Sequence, residues 1–280
     1  MKRAGLPERK DFVHKLALIF LMIFALLTTL MVVRMALEVT NPGWAMFSAT
    51  AACFLFTLFH AGARLGWKQA LTLVLLSFLV SLLFESVGVA TGWIFGPYYY
   101  SASLGLKFLG LVPYIIPFAW FMMMYPAFLM AHWLAPNPPG RLPRASVVAA
   151  MTGVIMTSWD LLMDPLMVQG GHWVWEIKGA YFGVPIHNFL GWWLTTFVIA
   201  AVFLLLWPEQ PRSAATERVA NARWDGWAFL SFFVTGLGSG VAAAANALAG
   251  PAWVGLFAMG PWLLLAGMKT AGVIQSNRIA

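Results

Sequence analysis

An all-α polytopic transmembrane helix bundle is the fold class this sequence predicts, on three observations. The chain is 61% hydrophobic and 10% charged, with mean hydropathy +0.79, far from the balance of a soluble domain. Apolar runs fall at 16–33, 44–59, 70–89, 113–134, 145–163, 189–207, 227–248 and 253–268. Each approaches the ~20 residues needed to cross a bilayer. The basic residues alternate in side: 14 of 17 Lys and Arg flank one set of ends, and only Arg34, Lys107 and Lys178 flank the other. By the positive-inside rule both termini are expected to be cytoplasmic.

The first run is too long for a signal-peptide core and lacks a clear small-residue cleavage site, so it reads as a span. Cys53 stands alone in the middle of the second run, where a packed thiol is expected and a disulfide within one chain is excluded. The third run ends on Glu85, and the fifth on Asp160 and Asp164. The fourth carries Met122, Met123 and Met124, read as packing or as a groove for a flexible apolar ligand. The seventh holds GLGSGVAAAANALAG, with Gly236 and Gly240 spaced as GxxxG for close helix contact. The eighth is short, so seven spans and a half-helix is the competing count. One transmembrane domain over 1–280 is expected, with 227–268 as a small-residue helical hairpin. Net charge +7 reads as topology signal and contact with anionic lipid, not nucleic-acid binding.

The connectors differ by side. HAGARLGWKQ, APNPPGRLPR and PEQPRSAATERVANARWD are polar, Pro-rich links on the basic side. Residues 90–112 and 165–187 are long, aromatic, Gly-rich and nearly uncharged. They make poor solvent loops, and are expected to fold into the outer half of the bundle. Each follows an acid at a span end, passes a Trp (Trp93 or Trp173), and reaches Val-Pro with a Trp seven residues beyond the Pro: Trp120 and Trp192. An internal repeat of spans three–four and five–six, in one orientation, follows.

Glu85 lies 15 residues past Ala70 and Asp160 15 past Ala145, which puts both about 22 Å into a ~30 Å core. Asp164 is one turn further on the face of Asp160. His187 and Asn188 open the sixth span at the same level, amid Trp93, Tyr98, Tyr99, Tyr100, Trp173, Trp175 and Tyr181. Ionisable groups at such depth are costly and mark function by default. A carboxyl group in apolar surroundings, near another, tends to keep its proton and can serve as an acid. Aromatic faces can hold a cation. A purely structural role, with the acids bonding loop backbone, is the competing reading. Asp160-x-x-x-Asp164 also has the spacing used to hold Mg²⁺-diphosphate, but no second acidic cluster or basic loop accompanies it. His60 and His132 sit near span ends on the basic side, where interface hydrogen bonding is expected and a b-type haem pair is the competing reading.

ESVGVATGWIFGPYYYS, VPYIIPFAWFMMMY, WDLLMDP, GGHWVWE and GAYFGVPIHNFLGWW resemble the integral-membrane carotenoid biosynthesis proteins, which include gamma-carotene and bisanhydrobacterioruberin hydratases. The resemblance runs over about 59–207. It implies addition of water to the terminal double bond of an acyclic carotenoid end group, giving a tertiary alcohol. On that reading Asp160 is the first choice of proton donor, with Asp164 or Glu85 orienting the water. Trp93, Tyr98, Tyr100, Trp120, Trp173, Trp175, Tyr181, His187, Asn188 and Trp192 would line the substrate. No metal or redox cofactor is called for. The partners implied are the acyclic-ended carotenoid, water, membrane lipid and neighbouring enzymes of carotenoid biosynthesis. The place implied is a prokaryotic cytoplasmic membrane, with the active layer on the non-cytoplasmic side. A proton-coupled carrier and a non-catalytic carotenoid-binding partner are the alternatives.

Overall fold

A computed structural model describes residues 6–208 and 215–279. Lys2, Arg3 and Arg212, three of the 14 basic residues counted for topology, lie outside them. Among the described residues, eight helices are long and apolar enough to cross a membrane: α1 Leu6–Ala36, α2 Gly43–Leu65, α3 Trp67–Thr91, α4 Ile115–Leu134, α5 Arg141–Gln169, α6 Ile186–Leu206, α7 Ala215–Ala245 and α8 Ala249–Ile279. The eighth is a full helix, so the half-helix alternative falls. In the short α7–α8 link, Leu248 N–H bonds back to the Ala243 carbonyl.

α4 is the centre of the bundle. It packs on α2, α3, α5 and α7, and its interior is filled by Trp120, Phe121, Met123, Met124, Tyr125 and Met130. The three methionines are thus mainly core, as their unbranched, polarizable chains suit an irregular interior. Small residues let α6 approach α3. A Cβ on Gly191 would lie 2.4 Å from the Ile94 carbonyl oxygen and 2.6 Å from the Phe95 ring. The GxxxG expectation holds only in part. Gly236 meets Met259 of α8 and Gly238 meets Thr28 of α1, but Gly240 faces open space.

Two segment boundaries depart from the sequence reading. α5 continues through Pro165 to Gln169, so Asp164 sits inside a helix rather than at its end. α7 begins at Ala215 and takes in Asp225, which the sequence reading left in a connector. Asp225 is fully buried. Arg64 donates to it through Nε at 2.8 Å and Nη2 at 3.3 Å, and Trp133 Nε1 donates at 2.8 Å. A buried charge held in this way needs such partners to persist.

The two aromatic connectors do fold onto the bundle, as short strands. β1 (Tyr98–Tyr100) pairs antiparallel with β4 (Trp173–Trp175) in the register Tyr98↔Trp175, Tyr99↔Val174, Tyr100↔Trp173. Bonds from Ser101 N–H to the His172 carbonyl and from Glu176 N–H to the Pro97 carbonyl extend the ladder. β2 (Lys107–Phe108) turns back on β3 (Val112–Pro113). Strand alternation decides which rings point inward. Tyr98 and Tyr100 are buried while Tyr99 between them is exposed.

The internal repeat has a structural counterpart. Tyr98 and Tyr100 follow Glu85 by 13 and 15 residues, and Trp173 and Trp175 follow Asp160 by the same 13 and 15. An antiparallel strand pair has a local two-fold axis, here through Tyr99 and Val174. The Val-Pro tryptophans of the two halves, Trp120 and Trp192, stack with centroids 4.2 Å apart and planes 18° apart.

Candidate active site

Glu85 lies in the penultimate turn of α3 and is 3% exposed. Three side chains donate to it: Tyr98 OH and Tyr100 OH (2.8 Å) to Oε2, and Trp120 Nε1 (3.0 Å) to Oε1. Burial, and then the neighbouring Glu85 charge, hold both phenols well above their usual range. They therefore remain donors at any physiological pH. Both oxygens of this carboxylate are satisfied.

The matching region of the second half is built differently. Asp160 and Asp164 of α5 both accept from one group, the side-chain amide of Asn188 in the first turn of α6. Its Nδ2 lies 2.9 Å from Asp160 Oδ2 and also bonds Asp164 Oδ2. Trp173 Nε1 donates to Asp164 Oδ1 at 2.8 Å. Asp160 Oδ1 is buried with no hydrogen-bond partner. Two carboxyl groups thus share three N–H bonds, where the single carboxyl of Glu85 has three to itself. Every donor here is a side chain, and Tyr98, Tyr100 and Trp173 come from the aromatic connectors, so the acids hold the connectors through side chains rather than backbone.

A cavity of about 600 Å³ opens over this layer, within the usual range for small-ligand sites. Glu85, Asp164 and Asn188 line it, with Tyr98, Tyr100, Trp120, Trp173, Trp175 and Trp192. Four sequence-predicted residues stand elsewhere. Asp160 is fully buried behind the wall, bridged to Asp164 by Asn188. Trp93 is 77% exposed, because the left-handed Gly92 that ends α3 turns it outward. His187 faces out from the start of α6, one position before Asn188. Tyr181 gives its hydroxyl to the Leu161 carbonyl at 2.8 Å, and half-burial lifts its pKa to about 12.

Other residues enter that the sequence did not flag. Trp159 and Met163 of α5 and Phe95 after α3 belong to the wall. So do Phe24, Thr28 and Met31 of α1, Met46 of α2, and Thr235, Ser239 and Ala242 of α7. Trp159 is adjacent to Asp160 in sequence, and its ring stands edge-on to Trp192 at 5.9 Å. His172 also lines the cavity and bonds Ser103 Oγ through Nδ1 at 2.8 Å. Burial lowers its pKa.

His60 does not have a free ring nitrogen. Nδ1 meets Tyr125 OH at 2.7 Å, Nε2 meets the Trp224 carbonyl at 2.8 Å, and the ring stacks on Trp224. That removes the proposed haem ligand. Among the described residues no three His, Cys, Asp or Glu side chains are grouped to hold a metal ion.

The site can be set beside known proteins. A family model described as "Carotenoid biosynthesis protein" matches residues 41–261. A bisanhydrobacterioruberin hydratase from Haloarcula japonica is 35% identical over 136 residues, 49% of this chain and 45% of that protein. The aligned stretch is thus a little under half of the relative's length. No solved structure matches.

Proposed function

The chain belongs to the carotenoid biosynthesis protein family, and on that premise we propose that it is a carotenoid hydratase. It adds water to the terminal double bond of an acyclic end group. The observation that carries this reading is the inequality of the two carboxyl stations over one aromatic floor. Glu85 has its acceptors filled by three donors, whereas Asp160 and Asp164 are short of one.

In this mechanism the Asp160–Asp164 pair holds one proton between them, and Asp164, which faces the cavity, delivers it. Asp160 behind it disfavours a second negative charge, as paired carboxyls do. Asp164 takes over the donor role that the sequence suggested for Asp160. Its O–H protonates the terminal alkene, and the π pair becomes the new C–H bond. The positive charge falls on the tertiary carbon. The Glu85 carboxylate and the faces of Trp120 and Trp192 stabilise that charge. Water adds through an oxygen lone pair and loses a proton to Asp164, which restores the acid. Net consumption is one water, by general acid–base chemistry.

The test is direct. The full chain in liposomes, given an acyclic-ended carotenoid without reductant or ATP, yields a product heavier by one water. If every acyclic end is left unchanged while pigment still co-purifies, the protein is a carotenoid-binding partner and the hydratase reading is wrong.

A further inference from the structure

The cavity reaches well beyond the acid layer. On α1 its lining extends from Phe24 to Met35, and from Thr235 of α7 to Asn246, one residue past its end. Each span covers eleven residue steps, about 16 Å of helix rise. The space is therefore elongated along the helix axes, with the acids in only part of it.

The two long walls differ in kind. α1 presents Phe24, Thr28 and Met31, whereas α7 presents Gly238, Ser239 and Ala242. A Cβ on Gly238 would come within 2.6 Å of Thr28 Cγ2, so the helices touch there. Ser239 and Ala242, a turn apart on the same face, fill little space beside that contact. No Lys or Arg is among the described residues that line the cavity. A phosphorylated or carboxylated ligand would have no counter-charge there, while an uncharged hydrocarbon chain brings no polar group of its own to be desolvated.

We propose that the α1–α7 corridor holds the hydrocarbon chain of the substrate, and that Ser239 and Ala242 set the bulk and length of chain that the site accepts. This rests on the hydratase reading for the end group, and adds where the rest of the molecule lies. α1 precedes the stretch matched by the family model, so one wall of this corridor is supplied by a helix outside that match.

The experiment compares two substrates with the same terminal alkene: a long acyclic polyene and a short acyclic terpene. Ser239→Phe and Ala242→Phe narrow the corridor, and Ala242→Leu is the milder second variant should either fail to give monodisperse protein. The expected result is at least a tenfold loss with the polyene, with the terpene kept within about twofold. Equal loss for both substrates, or no loss for either, overturns the corridor. If the unaltered protein hydrates neither, the hydratase reading fails instead. The corridor is then judged by polyene binding, read from the absorption shift of the bound polyene. Binding weakened in Ala242→Phe sustains the corridor, and unchanged binding refutes it.

Discussion

Replacing Asp164 by Asn is the sharpest perturbation, because the hydrogen-bond inventory leaves the new side chain no good orientation. Asp164 accepts from Asn188 on one oxygen and from Trp173 on the other. Asn offers one oxygen and one NH₂ group. With its oxygen toward Asn188, its NH₂ faces the Trp173 N–H. With its oxygen toward Trp173, its NH₂ faces the Asn188 NH₂. Turning Asn188 over relieves the second clash, but then sets an amide oxygen against Asp160 Oδ2, which would need a proton. One buried donor is stranded either way, at about 2 kcal/mol of stability. Loss of the acid itself lowers hydration by about a thousandfold, some 4 kcal/mol of barrier. Asp160→Asn is the control. It can keep its oxygen on Asn188, but its NH₂ then stands at the Oδ1 position, which has no partner, so it too strands a buried donor, at about 2 kcal/mol. Its rate falls by only about tenfold, through the lost like charge behind Asp164. Both variants are measured as product formation in liposomes and as unfolding in mixed micelles. Asp164→Asn hydrating within tenfold of the parent, or Asp160→Asn losing as much rate as Asp164→Asn, would refute the reasoning.

Three further outcomes are expected. Glu85→Gln keeps the shape and an oxygen for Trp120, but loses the charge that two phenols point at; hydration drops by about a hundredfold, with pigment binding retained in the same preparation. Arg64→Met leaves Asp225 buried without its cation and costs about 3 kcal/mol on unfolding, while turnover per folded molecule is unchanged because the pair lies at the opposite end of α3 from Glu85. His172 is held below its ordinary pKa by burial, so its contribution to stability is full above about pH 6.5 and is lost as pH falls toward the lowered value; unfolding followed from pH 8 to 5 shows this loss, and His172→Phe removes it.

Much of the bundle was legible because a membrane allows few alternatives. Long apolar runs had to be helices, and all eight are. The shared depth of Glu85 and Asp160 followed from counting residues at a fixed rise. Three things were hidden, for separable reasons. Pro165 reads as a stop, yet α5 continues because the segment is buried among neighbours rather than in water. Asp225 reads as loop because its partners, Arg64 and Trp133, are distant in sequence. The inward or outward sense of each aromatic residue depends on strand pairing, which three-residue strands do not advertise. Tyr98 and Tyr100 line the cavity, while Trp93, Tyr181 and His187 stand outside it. The contribution of α1 and α7 to the cavity was invisible for the same reason: it exists only between helices.

The unequal halves around the Trp120–Trp192 stack bear on why one chain carries both. In a two-fold dimer of a single half, each surface would meet its own copy. Such an assembly would set two filled carboxylates, or two donor-poor pairs, across the axis. It would have an anion on both sides or an acid on both sides. Covalent linkage of the halves lets one keep Val89 where the other has Asp164, and Tyr98 and Tyr100 where the other has Trp173 and Trp175. On the proposed mechanism, polarity across a nearly symmetric floor, from proton source to charge stabiliser, is what joining the halves in one polypeptide makes accessible.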